Sequence, residues 1–160
     1  MARIIPNENT WVGFATTVAN IAAPVASEIT AAINLTPACI SLNASSQGNT
    51  VPTPSFDSLF ETSTAGTSAA SFSADFYRDD ETTKDIAWTT LPRATRGFMI
   101  ISRFGGSGTD NKPIAADKVE VWPVMVTSRT MANMSSNTVQ TFTVTCAVTE
   151  EPNESATVAA

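Results

Sequence analysis

The chain contains no histidine in its 160 residues. That removes imidazole as a general base, as the middle member of a nucleophilic triad and as a metal ligand. A serine or threonine nucleophile needs a base in reach. The substitutes would be Lys84, Lys112 and Lys118, and none lies in a recognisable motif. The expectation is a protein that is not an enzyme, with no catalytic residue, no metal and no cofactor. Cysteine is scarce as well, and Cys39 and Cys146 match no zinc or redox spacing. Cys146 falls on the apolar side of a strand pattern, where a free thiol acts as a small hydrophobe. A disulfide between the two is the alternative. Charged residues make up 15% of the chain, against ~25% in ordinary soluble domains. The net charge of −6 and a pI near 4.5 speak against a phosphate-gripping nucleic-acid binder. No stretch approaches the ~18 apolar residues of a membrane span. The start, MARIIPNENTW, has no apolar run of signal-peptide length.

Ser, Thr, Ala and Asn fill the space that charge leaves. A surface of that kind suits burial against further copies of the same chain. The length suits one domain with a real core, here residues 11–152 between an arm (1–10) and an acidic, Ala-rich tail (153–160) with little to bury. The clearest pattern spans residues 117–149, where KVEVWPVMVTSRT, a polar turn and TVQTFTVTCAVT alternate with period two. Phe142, Val144, Cys146 and Val148 fall on one face, and Thr141, Thr143, Thr145 and Thr149 on the other. Pro123 interrupts the first run and fits only at an edge, a bulge or a non-bonded position. SAASFSADFYR repeats the scheme, with Ala70, Phe72, Ala74 and Phe76 opposite Ser71, Ser73, Asp75 and Tyr77.

Elsewhere the pattern is mixed. A first strand is expected over residues 11–18, and Pro24 opens either a short helix with Glu28 in its first turns or a loop with one helical turn. Residues 37–42 read as a short strand. Residues 43–55 hold little to bury and read as a long exposed loop or flexible hairpin, with Ser46, Gln47, Gly48, Asn49 and Thr50 in its middle. A return strand is expected over 56–61 and its turn over 64–67. Asp79, Asp80 and Glu81 are expected to cap a helix of two to three turns that buries Ile86, Ala87, Thr90 and Leu91 and ends at Pro92. FMIISRF is a further strand, and residues 105–113 a floppy loop without a hydrophobic anchor. The fold class is therefore mainly β, an antiparallel sandwich or barrel with one short flanking helix. Its core is expected to include Phe72, Phe76, Ile86, Leu91, Phe142, Val144 and Val148.

Three constellations invite a chemical role and have plainer accounts. The acidic run lacks the spacing and bend glycine of a hard-cation loop. Gly105-Gly106-Ser107-Gly108 lacks the Gly-Lys-Ser/Thr ending of a phosphate cradle. Trp11, Trp88 and Trp122 are far apart and suit packing better than a sugar platform.

Six stretches in order carry a resemblance: residues 24–36 (PVASEITAAINLT), 73–80 (SADFYRDD), 85–91 (DIAWTTL), 96–101 (RGFMII), 117–124 (DKVEVWPV) and 142–152 (FTVTCAVTEEP). Together they resemble the major tail tube proteins of long-tailed, siphovirus-type bacteriophages, those of actinobacteria in particular, from about residue 11 to 152. The resemblance implies a β-sandwich with a flanking helix, six copies to a ring and rings stacked into a tube. Its partners would be further copies, a tape-measure protein, tail terminator and distal tail proteins, and viral DNA passing through the lumen unread. Combined with the polar strand faces, it places Ser71, Ser73, Asp75, Thr141, Thr143 and Thr145 on the lumen wall. Residues 46–50, with the arm and the tail, would make ring-to-ring contacts. Other readings left open are a connector or capsid decoration protein of the virion, and a glycan-binding β-sandwich.

Overall fold

A computed structural model describes residue 5 and residues 9–160. Of the arm expected over residues 1–10, residues 1–4 and 6–8 lie outside the described residues. The chain forms β1 (Trp11–Ala15), α1 (Ala26–Ala31), β2 (Ile33–Asn34), β3 (Cys39–Thr53), β4 (Thr62–Tyr77), α2 (Ile86–Thr90), β5 (Arg96–Ser102), β6 (Lys118–Met131), β7 (Thr141–Val148) and β8 (Asn153–Thr157). All eight strands belong to one antiparallel sheet in the order β2-β1-β5-β6-β7-β4-β3, with β8 also paired to β6.

The two ends of that order, β2 and β3, are joined by residues 35–38 alone. Such a link spans at most ~18 Å, whereas seven strands laid flat would separate their ends by about 29 Å. The sheet must therefore curl towards a barrel. The curled inner face holds the main core, where Phe14, Phe72, Phe76, Met99, Trp122, Phe142 and Val144 meet Leu91 at the end of α2. Gly97 permits the close approach there, since a Cβ on it would lie 2.4 Å from the Phe14 ring. A second core lies on the outer face of β1, β5 and β6, under α1 and β8, around Trp11, Ile29, Ile100, Val121, Ala156 and Val158.

Several expectations need correction. The tail does have something to bury. β8 pairs β6, and Ala156 and Val158 are almost wholly enclosed. Of the two readings after Pro24 the helix is realised, so two helices and not one flank the sheet: in α1, Glu28 accepts the Val25 N–H at 3.0 Å and the Ala19 N–H at 2.7 Å. Residues 43–53 are strand, residues 56–61 are the turn, and residues 64–67 are strand. Of the two readings of residues 43–55 the hairpin is the one realised, longer than expected and stabilised by backbone pairing, not burial. α2 has five residues, and the acidic run does not cap it. Arg78 binds the Asp85 carboxylate at 2.8 Å, and residues 79–84 turn around that pair while Asp79 accepts the Glu81 N–H. So short a helix buries Ala87 and Leu91 and leaves Ile86, its first residue, 37% exposed. Val148 is half-buried at the margin of the core. The glycine-rich loop is anchored by charge instead of hydrophobic contact, as Asp117 accepts the Ser107 N–H, the Ser107 hydroxyl and the Ile114 N–H at 2.7, 2.7 and 2.9 Å.

Pro123 sits in mid-β6, where the neighbour on one side changes. β8 pairs residues up to Val121 and β7 begins at Val124. Its carbonyl accepts the Thr149 N–H on that side. The missing donor thus faces the break between two partners, a non-bonded position. Cys39 and Cys146 are free thiols.

Candidate functional site

The outer face of the sheet is divided. Where α1 and β8 cover it, it is apolar. Beyond them, over β6, β7, β4 and the first half of β3, it is uncovered and hydroxylated. Registers place Ser41, Asn43 and Ser45 of β3 opposite Asp75, Ser73 and Ser71 of β4. Asp75 and Ser73 in turn stand opposite Thr143 and Thr145 of β7, and these opposite Thr130 and Ser128 of β6. Side chains on one face of paired strands neighbour one another, so the six residues singled out on β4 and β7 do share a surface. Ser71 and Thr145 are exposed, and Ser73, Asp75, Thr141 and Thr143 half-buried among their neighbours. Sequence reading missed Ser41, Asn43 and Ser45. Their signal was the alternation with Leu42 and Ala44, which is faint because those side chains bury little.

One carboxylate organises this face. Asp75 accepts the Thr143 hydroxyl at 2.5 Å and the Ser41 hydroxyl at 2.7 Å, tying three strands together. Those bonds, the Thr143 bond first, favour the ionised form and hold its pKa below the usual 3.8. Ser45 and Ser71 share a hydroxyl contact at 3.1 Å. No Lys or Arg stands at any of these positions. Arg129 stands between Ser128 and Thr130 on β6 but belongs to the other face, where it donates to the Trp88 carbonyl. The surface is built of short side chains, uncharged but for one acid, and its hydroxyls at Ser41, Thr143, Ser45 and Ser71 are engaged within it. It offers a phosphate no cation to pair with.

The second feature is the β3–β4 hairpin. β4 pairs with β7 from Ser71 to Tyr77, whereas β3 and β4 stay paired out to Thr53 and Thr62. The stretch of β4 from Thr62 to Ala70 therefore projects, with its β3 partner, as a two-stranded arm of roughly 25–30 Å at ~3.3 Å per residue. The expected contact loop, residues 46–50, proves to be the strand at the root of that arm, with Asn49 in a bulge between Gly48 and Thr50. Ser46 also donates to Glu154 at 2.6 Å. Phe56, Leu59 and Phe60 form the tip, and the first two are more than fully exposed (115% and 111%). An isolated hairpin is marginal in water, and three bare apolar side chains at its end require a partner.

Near the other end of β4, Trp88 is clamped. Its ring meets Phe142 edge-on at 5.1 Å, and the guanidiniums of Arg78 and Arg129 lie 3.9 and 3.7 Å from its centroid. Arg129 also donates to the Trp88 carbonyl at 2.8 Å. Trp11 and Trp122 are buried. The three tryptophans are thus packing groups, and no glycan platform is made from them. Burial, then the Asp75 charge, pushes the Cys39 thiol up to about 11, and burial pushes Cys146 up to about 12.

A family model described as phage tail tube protein matches residues 1–160, the entire chain. No curated protein sequence matches it. Among solved structures it is similar to a chain in the virion of a native gene transfer agent particle, at 16% identity and a TM-score of 0.54, covering 79% of this chain and 91% of that one. It is also similar to a chain in the tail of an empty gene transfer agent particle with C6 symmetry, at 18% identity and a TM-score of 0.51, covering 74% and 83%. A chain in the six-fold symmetrised baseplate of the anti-feeding prophage aligns over 96% of both chains, at 10% identity and a TM-score of 0.53. These identities speak for a shared fold.

Proposed function

The chain belongs to the phage tail tube protein family, structural proteins of the virion tail, and from that premise we propose a concrete assembly. Six copies close a ring, as the C6 symmetry of the gene transfer agent tail suggests. Rings stack through the β3–β4 arms, and the hydroxylated faces line a common bore. The observation that carries this reading is the uncovered, hydroxylated and cation-free face of four strands around Asp75.

Six copies giving four strands each make a 24-stranded barrel, in which every copy's open edges are closed by its neighbours. With strands tilted by ~40°, its backbone diameter is about 45–50 Å, wide enough to pass a double helix. Basic walls would retain DNA by releasing its counterions. Short hydroxyls and a ring of Asp75 carboxylates let it slide. The further partners in this proposal are a tape-measure protein in the bore before ejection, and terminator and distal tail proteins at the two ends.

Negative-stain microscopy of the purified protein tests the reading, with hollow tubes expected. A second protein isolates the arm. Replacing residues 49–67 by Asn-Gly, a two-residue hairpin turn, should leave a folded subunit that no longer stacks. Normal tubes from this variant would remove the arm from the stacking contact.

A further inference from the structure

Resting on the stacked-ring reading, the geometry points to where the arm goes: its apolar tip seats in the cleft between the start of β3 and the neighbouring ends of β1 and β5 in a copy in the next ring. The cleft is the open seam of the curled sheet. Val12, Ile40, Leu42, Ile101 and Phe104 line it, with Cys39 on one wall and Arg103 at the rim. Its volume is about 470 Å³, far more than the ~30 Å³ of a single water. Ile40 and Phe104 are 44% and 67% exposed, an apolar surface that a lone subunit leaves wet.

Geometry decides which copy fills it. The cleft opens beside the first residues of β3, and the tip lies beyond its last. Leu42 and Pro54 are separated by about 40 Å along a paired, extended strand. The tip of one chain therefore cannot fold back into its own cleft, and a second copy has to supply it. Chemistry agrees. The tip offers Phe56, Leu59 and Phe60 flanked by Asp57 and Glu61, with no Lys or Arg between residues 54 and 61. The cleft offers apolar walls and the Arg103 guanidinium, held by Glu120 in a forked ion pair. Docking would bury apolar surface on both sides.

Cys39 makes a direct test available. In tubes of the Leu59→Cys variant under mild oxidation, the new thiol should bond to Cys39 of the next ring. Non-reducing gels would show a ladder, and mass spectrometry of the digest would identify a disulfide joining the peptide that carries position 59 to the peptide that carries Cys39. Adding Cys39→Ser should abolish it while tubes persist. If tubes form and Leu59→Cys couples only to other copies of itself, or to nothing, the cleft is not the acceptor although the tube stands. If the wild-type chain forms no tubes, the underlying reading fails first. A tip variant with Phe56, Leu59 and Phe60 all changed to Ser should keep the wild-type melting temperature and lose stacking. Unchanged tube length in that variant would also overturn the docking.

Discussion

Thr145→Lys puts the proposed lumen under a quantitative test. Thr145 is exposed on the hydroxylated face between Ser73 and Ser128, so a lysine there should leave the subunit folded. In a six-membered ring the change adds six ammonium groups to the bore. Engaging six phosphates would give a slope of log K against log salt of about −5. Asp75 is a diagonal neighbour at ~7–8 Å and offsets part of this charge, so the expected slope is about −3 to −5. Between 50 and 200 mM salt, affinity for a duplex should then fall about 10²–10³-fold. Co-sedimentation of tubes with a short labelled duplex measures the slope. Nuclease treatment locates the DNA, because duplex held in the bore is protected. Wild-type tubes should retain little DNA at either salt. The reasoning fails if Thr145→Lys tubes bind no more DNA than wild type, or if the DNA they bind is fully digested, which would put this face on the outside.

Two further outcomes concern the subunit itself. Trp88→Ala removes a half-buried ring, its contact with Phe142 and two guanidinium contacts, a loss of about 3–4 kcal/mol. For a chain of this size that lowers the melting temperature by about 6–16 °C, and a fall under ~3 °C would show that the clamp is incidental. Asp75 has a folded pKa below its ordinary 3.8, so its charge stabilises the fold above that value and the contribution is lost as pH falls through the lower, folded value. Denaturant midpoints of wild type and Asp75→Asn should differ at pH 7 and converge as the pH falls through the lowered, folded value. A gap independent of pH would mean that the Thr143 and Ser41 bonds do not depend on ionisation.

Where burial alternates strictly, the sequence was a good guide. Phe142, Val144 and Cys146 alternate with Thr141, Thr143 and Thr145, and period-two patterning assigns both faces whatever the neighbours are. The β3–β4 arm was legible only as one of two alternatives, a loop or a flexible hairpin, and its length escaped because it buries almost nothing. Its pairing is carried by backbone hydrogen bonds, and Gly, Asn, Ser and Pro in residues 46–54 are residues that otherwise signal loops. Phe56, Leu59 and Phe60 misled in the opposite sense, since three apolar residues imitate a strand and here form a bare tip. β8 was missed because Ala156 and Val158 are small and flanked by Glu and Thr. α2 was overestimated because acids ahead of a helical pattern signal caps, whereas here Arg78 claims Asp85.

The same sheet face also shows why an assembly, and not a ligand pocket, is the natural account. On β1, β5 and the first half of β6 it carries Trp11, Ile100 and Val121, and the chain covers them with its own α1 and β8. On β7, β4 and β3 it carries hydroxyls, and the chain leaves them bare. A monomer needing protection from edge-to-edge association would place charge there, as open edges otherwise invite pairing. Here charge is withheld from the wide polar face while β3 keeps an open edge beside it. That combination is a liability in an isolated subunit. In the proposed tube it becomes an asset, because neighbours would close the edge and the face would look into a bore that touches DNA without holding it.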